Sequence, residues 1–320
     1  MQKLPASILK IWQRMKNGNY HEPVMVQEVT NAFAPLDNAR IIDATLGSAG
    51  HSLALIKAGA NVLGIETDSQ MLEIAVRRLE EARPTPLDKT ISRGSFKLVK
   101  GNFKDIDQIA ESVGFKVVDG VLFDLGVSNM QLKSHNRGFS FSNPEADLDM
   151  RIDPESQGVK ASDLLNGLRG DQLISLFGET LDSGSAKWLT KRILNKRDES
   201  PIKTVEDFLK ACEGLRTKKD LHEATLPLLA LRITVNSERE NLKEALPKAF
   251  SLLKMEGKVA VITFHSGEKK VVLDFFHSKK RENEGIFLTQ APIIPTKEEV
   301  ANNPSARSAE LWIFKKNETV

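Results

Sequence analysis

The chain has 320 residues, 40% of them hydrophobic and 28% charged, an ordinary globular composition with room for one large domain or for a sheet domain and a smaller companion. The single cysteine, Cys212, excludes an internal disulfide, and the apolar runs are too short to cross a bilayer, so the sequence reads as soluble, cytoplasmic and without a membrane partner. With 45 Lys and Arg against 43 Asp and Glu the formal charge is +2, which neither demands nor excludes a nucleic acid; any RNA site has to come from local clustering of basic groups.

The start carries Lys3 and Lys10 around a short apolar stretch, without the sustained apolar core of a signal peptide. Residues 41–124 then alternate strands and helices. Residues 41–44 predict a short strand carrying Asp43, and Gly47 and Gly50 open a turn. Residues 51–58 predict a helix closed by Gly59, and residues 62–66 a second strand. Residues 69–82 form a clear amphipathic helix, because Met71, Leu72, Ala75, Val76 and Leu79 recur at three- and four-residue steps. Pro84 and Pro86 prevent its simple continuation. Phe96, Leu98 and Lys100 mark a third strand, and residues 117–125 a fourth. Continuous apolar strands with helices between them predict a parallel sheet covered on both faces.

The rhythm breaks over residues 126–160, where Gly, Ser, Asn, Asp and Pro predict a long functional loop region. Residues 161–215 read as a helical insertion after the fourth strand. A helical stripe at Leu242, Ala245, Leu246, Ala249, Leu252 and Leu253 follows, then a chain turn at Glu256 and Gly257 and a fifth strand at residues 258–264. Val271, Val272, Phe275 and Phe276 belong to another helix, and residues 310–314 to a last strand that fits an antiparallel edge. The reading divides the chain into a sheet domain at residues 1–136, a helical substrate domain at 137–220 and the rest of the sheet domain at 221–320.

Ligands of open α/β sheets sit beyond the carboxyl ends of the strands, where this chain places Asp43, Glu66, Phe103, Asp124 and His265. The loop at residues 43–51 has two glycines that let a ligand approach the main chain, or that simply make a tight strand–helix turn. Its spacing is not the full dinucleotide fingerprint. Glu66 follows a strand about twenty residues later, where a ribose-binding acid belongs, though a solvated strand-end acid fits as well. Phe103 can lie against adenine or in the core, and Asp124 after an apolar run needs water, a donor or a cation. A pocket edged by Asp43, Glu66 and Asp124 suits a phosphate-free cationic ligand such as S-adenosylmethionine better than a pyrophosphate. No metal is expected: Asp147, Asp149 and Asp153 lack calcium-loop spacing and read as loop caps or surface acids.

The segments YHEPVMVQEV (20–29), DATLGSAGHS (43–52), GNF (101–103), DLGVSNMQL (124–132), RGFSF (137–141), LDMRID (148–153), LRITVN (231–236), ITFHS (262–266) and NPSARSAEL (303–311) carry a resemblance over nearly the whole chain. Together they resemble the bacterial 16S ribosomal RNA cytosine-N4 methyltransferases, which act in the decoding region of the small subunit. The resemblance implies a class I, Rossmann-like methyltransferase sheet with a helical domain inserted after the fourth strand. It implies S-adenosylmethionine held by Ala49, Gly50, His51, Glu66, Phe103, Asp124 and Gln131, with 16S ribosomal RNA in the small ribosomal subunit as partner, and it allows a homodimer. The chain departs from the family pattern in several places. Ala49 replaces a glycine, and alanine fits there provided that no positive backbone angle is needed. Asn129 and Met130 replace Ser and Pro, Leu226 an arginine, Leu229 a glutamine, and Gly267, Lys269 and Lys270 stand for Leu, Asp and Arg.

An in-line methyl transfer to a cytosine amine needs alignment and acceptors for the amine protons. Asp124 and the Ser128–Asn129 segment are candidates to organise that amine, while Asp124 can instead serve the methionine end of the cofactor. His265 positions the base or its phosphate, or merely closes the strand–loop junction. Arg137, Arg151, Arg192, Arg197, Lys218, Lys219, Arg232, Lys269, Lys270 and Arg307 are candidates for RNA phosphate. Phe139 and Phe141 stack on RNA or anchor their loop. Competing readings are methylation of another RNA, a protein or a small molecule, a non-enzymatic RNA-binding protein keeping the fold, and, last, an NAD-dependent oxidoreductase.

Overall fold

The computed structural model describes residues 22–82, 94–132, 137–217 and 221–318. Lys3, Lys10, Tyr20, Pro84, Pro86, Lys218, Lys219, the side chain of Asn129 and the expected domain boundaries near residues 136 and 220 lie outside the described residues.

Helix α1 (Val26–Phe33) leads into β1 (Arg40–Asp43), α2 (Gly50–Lys57), β2 (Asn61–Glu66), α3 (Ser69–Glu81), β3 (Phe96–Lys100), α4 (Ile106–Ser112) and β4 (Val118–Asp124). The short α5 (Asn129–Leu132) follows, then the helical insertion of α6 (Ala161–Gly167), α7 (Gly170–Phe177), α8 (Ser183–Glu199) and α9 (Val205–Cys212). The sheet resumes through α10 (Thr225–Val235), α11 (Glu238–Leu252), β5 (Leu253–Thr263), α12 (Ser266–Arg281), β6 (Gly285–Phe287), α13 (Lys297–Asn302) and β7 (Glu310–Lys316). The result is a mixed α/β fold on a seven-stranded sheet of order β3-β2-β1-β4-β5-β7-β6, with a helical insertion after β4. β1 to β5 run parallel, and β7 is antiparallel to both β5 and β6. Among the described residues no helix is long and apolar enough to cross a membrane.

The strands are apolar on both sides because both faces are covered. Ile41 and Leu122 join one core with α1, α2 and α3, while their chain neighbours Ile42, Val121 and Phe123 join the other with α4, α11 and α12. A third core lies in the insertion, where Leu165, Phe177, Ile193 and Phe208 pack with Leu148, Met150 and, from α10, Leu228 and Leu231. α10 is thus shared: its buried leucines belong to the insertion, and Arg232 faces the sheet's crevice.

Two sequence expectations change, and one strand was not foreseen. The turn at Glu256 and Gly257 is a bulge inside one long strand: Glu256 takes φ 65, and the β4–β5 register jumps between Val118 opposite Leu253 and Gly120 opposite Lys258. The last strand is antiparallel but not an edge, since β6 pairs beyond it. β6 itself, three residues long, is too short to show alternation.

Candidate functional site

β1, β2 and β4 all end in an acid, at Asp43, Glu66 and Asp124, and parallel pairing brings those ends to one edge of the sheet. A cavity of about 320 Å³ opens there. Gly47, Gly50, His51, Glu66, Phe103, Asp124, Ser128 and Gln131 line it together. Ala49 and His265 do not line it, and Asn129 is placed only as the first residue of α5.

The loop between β1 and α2 is fixed from its surroundings. The Gly47 N–H donates to Glu66 Oε2 at 2.8 Å, and Asp124 N donates to Thr45 Oγ1 at 2.6 Å. Arg78, buried on α3, donates to the carbonyl and hydroxyl of Ser48 at 2.9 and 3.1 Å. Sequence reading missed Arg78, although its place beside Met71 and Ala75 on the inner face of α3 is visible in the spacing. A Cβ on Gly50 would stand 2.6 Å from the Pro23 ring, so the loop approaches the preceding segment too closely for any side chain. Ala49 does take a positive angle, φ 61, contrary to the condition under which alanine fits easily; its Cβ is strained by about 1 kcal/mol relative to glycine.

Burial governs the acids. Asp43, 1% exposed, accepts from Ser52 Oγ at 2.7 Å and is raised by desolvation against the pull of His51. Glu66 is pushed up to about 7 by burial, even though its two oxygens accept the N–H groups of Gly47 and Asp68. Each of those oxygens keeps room for a further donor. Asp124 is raised to about 6, first by burial, with His51 opposing and Asp43 and Glu268 adding to the rise. Its Oδ1 is buried with no hydrogen-bond partner among the described residues. His51 Nε2 lies 2.8 Å from the Val24 carbonyl, which can only accept, so Nε2 carries a proton and Nδ1 faces Asp124 Oδ2 at 3.5 Å.

Other candidates have structural partners. Ser128 Oγ accepts from Gln131 N at 3.2 Å and lies 3.4 Å from the Met71 sulfur, and Gln131 Nε2 donates to Asp68 Oδ2 at 2.9 Å. His265 is the N-cap of α12, its Nδ1 accepting from Glu268 N at 3.3 Å. Phe103 serves both readings, packing edge-on against Phe123 at 5.7 Å while facing the cavity.

A second cavity of about 850 Å³ adjoins the first through Thr45, Thr67, Phe103, Leu125, Gly126 and Ile152. Its wall also carries Asn236, Glu238 and Glu268. Glu238, His265 and Glu268 bring ligand-type atoms within 4.8 Å of one another. The cap bond to His265 Nδ1 puts the proton on Nε2, and Arg232 already neutralises Glu238 in a two-point pair, so this group is a hydrogen-bonding wall rather than a ready metal set. Asp149 pairs with Arg151, and Asp153 accepts from Ser156, both as loop braces.

Most of the basic residues expected to meet RNA are engaged within the protein. Arg137 joins Asp68 at 2.6 Å and the carbonyls of Arg151 and Ile152, so it ties α3 to the loop before the insertion. Arg151 forks onto Asp149, Arg192 donates to the Ala211 and Lys210 carbonyls, and Arg197 to those of Leu165 and Leu168. Lys269 pairs with Glu310 and Lys270 with Asp274. Phe139 is buried in the insertion's core, whereas Phe141, 41% exposed, stacks on His222 at 4.4 Å.

With this geometry in place, the model of the MraW methylase family matches residues 18–317. The chain is similar to the ribosomal RNA small subunit methyltransferase H of Thermotoga neapolitana, 38% identical over 305 residues, 92% of this chain and 96% of that one. It is also similar to the proteins of the same description from Methylacidiphilum infernorum, 37% identical with coverage of 92% and 93%, and Persephonella marina, 36% identical with coverage of 92% and 99%.

Proposed function

The chain belongs to the MraW methylase family, and on that premise we propose that it transfers a methyl group from S-adenosylmethionine to the exocyclic N4 of a cytidine in 16S ribosomal RNA. The observation that carries the reading is the common cavity: Glu66 from β2 and Asp124 from β4 face the same space as the Gly47–Gly50 loop. The strand order, with β7 alone reversed within it, supports a class I methyltransferase sheet.

The residues present fit the cofactor. Its positive sulfonium is complemented by buried carboxylates, above all by the partnerless Oδ1 of Asp124. The open lone pairs of Glu66 suit two ribose hydroxyls, and Phe103 offers a ring face at the cavity wall. Gly50 and His51 shape the loop; Gln131 holds α5 to Asp68, and Ala49 acts through its backbone conformation.

When bound, the cofactor supplies an activated methyl carbon, so that a C–N bond forms as the C–S bond breaks. Asp124, whose side chain is 23% exposed at the cavity, accepts a hydrogen bond from the acceptor amine and takes the proton the nitrogen sheds on its carboxylate. Ser128 holds the backbone of α5, which begins at Asn129, and His265 acts by fixing the start of α12. The acceptor enters through the larger cavity, and the thin wall at Gly126 and Phe103 is where the two reactants meet. The reading places the enzyme in the cytoplasm with the small ribosomal subunit, in rRNA processing, and includes a homodimer, checked by sedimentation.

The test is a base-resolved assay on small subunits from cells lacking the enzyme, with labelled S-adenosylmethionine. Label on N4 of one 16S cytidine is expected; label on protein, on another RNA or nowhere contradicts the proposal.

A further inference from the structure

We propose that Arg232, held by Glu238, reads the ring edge of the methyl acceptor, and that the acceptor it fits is an aminopyrimidine with a lone pair on the ring nitrogen beside the amine. The inference rests on the methyltransferase reading above and adds a specificity residue to it.

Arg232 stands in the last turn of α10, a helix anchored by the buried Leu228 and Leu231, so its backbone is fixed. Its side chain is only 14% exposed. Nε and Nη2 donate to Glu238 Oε1 and Oε2 at 2.8 and 3.0 Å, a two-point pair that locks the plane of the guanidinium. Among the described residues nothing accepts from Nη1, and that nitrogen is not sealed from the cavity. A nearly buried guanidinium with an open donor edge invites an acceptor there.

The location fits a passing substrate. Arg232 lines the smaller cavity, while Glu238 and Glu268 line the larger one, so the ion pair forms part of the partition between them. Opposite stands Gly126, with φ 94; a Cβ there would point toward Arg232 Nη2 and Phe264, 3.9 Å from each. The missing side chain leaves space in front of the guanidinium, and the positive angle makes any replacement strained.

The chemistry then selects the ligand. Cytosine presents O2 and N3 as adjacent acceptors, which match two N–H groups of a guanidinium edge. Uracil carries a donor at N3 and would oppose it. With the ring held from that side, the amine next to N3 is left for an acceptor, and the Asp124 carboxylate, its side chain 23% exposed, lines the same cavity.

The experiment uses the full chain loaded with S-adenosylhomocysteine. Binding of cytidine 5′-monophosphate and uridine 5′-monophosphate is compared by calorimetry in the wild type, Arg232→Lys and Glu238→Gln. The wild type should prefer the cytidine nucleotide by roughly 5- to 150-fold, the range of a two-point arginine contact. Arg232→Lys should lose that preference, Glu238→Gln part of it, and both should keep S-adenosylhomocysteine affinity within about threefold. Equal binding of the two nucleotides by the wild type overturns the proposal even if neither variant folds. So does a collapse of S-adenosylhomocysteine affinity in Arg232→Lys with the preference intact, which would give the arginine to the cofactor. Failure of the underlying methyltransferase reading shows separately, as no S-adenosylhomocysteine binding by the wild type.

Discussion

The two adjoining cavities share a wall at Phe103 and Gly126 and are built in different ways. The smaller one is made by strand ends: Glu66 and Asp124 line it, whereas Asp43, expected from the sequence at its edge, is buried behind it on Ser52, and backbone N–H groups and Arg78 brace the loop between the strands. The larger one is made by helix starts and by the loop before the insertion, with Glu238 opening α11, Glu268 in the first turn of α12 and Asn236 bonded to the Met150 carbonyl. The first concentrates negative charge that the fold does not fully neutralise. In the second, Glu238 is paired with Arg232 and Lys100 with Asp153 and Glu155. A cationic cofactor belongs to the former, and the latter is the path by which a polar, largely neutral base reaches the shared wall.

The sharpest way to break this contrast is to remove the Asp124 carboxylate. Asp124→Asn should lower single-turnover methyl transfer by about 100-fold or more, the scale of a lost general base, with a smaller loss of cofactor affinity; unchanged turnover would mean that Asp124 serves only the methionine end. Glu66→Gln comes next. One end of the amide must turn a donor toward the N–H of Gly47 or Asp68, so cofactor affinity should fall about 10- to 100-fold in calorimetry while turnover at saturation is largely kept. pH sharpens the contrast further. Glu66, at about 7, and Asp124, at about 6, hold protons in the folded chain that the unfolded chain releases. Their contribution to stability is therefore present below the ordinary carboxylate range and lost as pH rises through 6 to 7. A sulfonium favours the ionised acids, so S-adenosylmethionine should bind more tightly at pH 8 than at pH 5.5 and release protons as it binds. Calorimetry in buffers of different ionisation heat reads both.

On the insertion side, Arg137→Ala should cost about 1–3 kcal/mol of stability in thermal melts, because Asp68 and two carbonyls lose a charged donor. It should leave the salt dependence of RNA binding unaltered. A shallower salt slope with an unchanged melting temperature would return Arg137 to the RNA surface. The smallest effect is expected of Ala49→Gly, which relieves a left-handed alanine against the greater freedom of glycine in the unfolded chain, a net gain of at most about 1 kcal/mol.

The same contrast explains what the sequence could tell. Strand ends announce themselves: Asp43, Glu66 and Asp124 each close an apolar run, and the 3.6 period of α3 was plain from Met71 to Leu79. Helix starts and braces do not. Glu268 and Glu238 look like solvated acids until the chain places them on a cavity wall, and Arg137 and Arg197 look like phosphate ligands until carbonyls surround them. Periodicity also cannot separate a turn from a bulge, and so Glu256 and Gly257 read as a turn between elements although the strand continues through them.

A crystal structure of the protein with S-adenosylhomocysteine tests the central claim most directly. The account predicts the nucleoside between the Gly47–Gly50 loop and Phe103, both ribose hydroxyls within hydrogen-bond distance of Glu66, and the sulfur end beside Asp124 Oδ1. A ligand seated in the larger cavity instead, or a ribose that Glu66 does not touch, contradicts it.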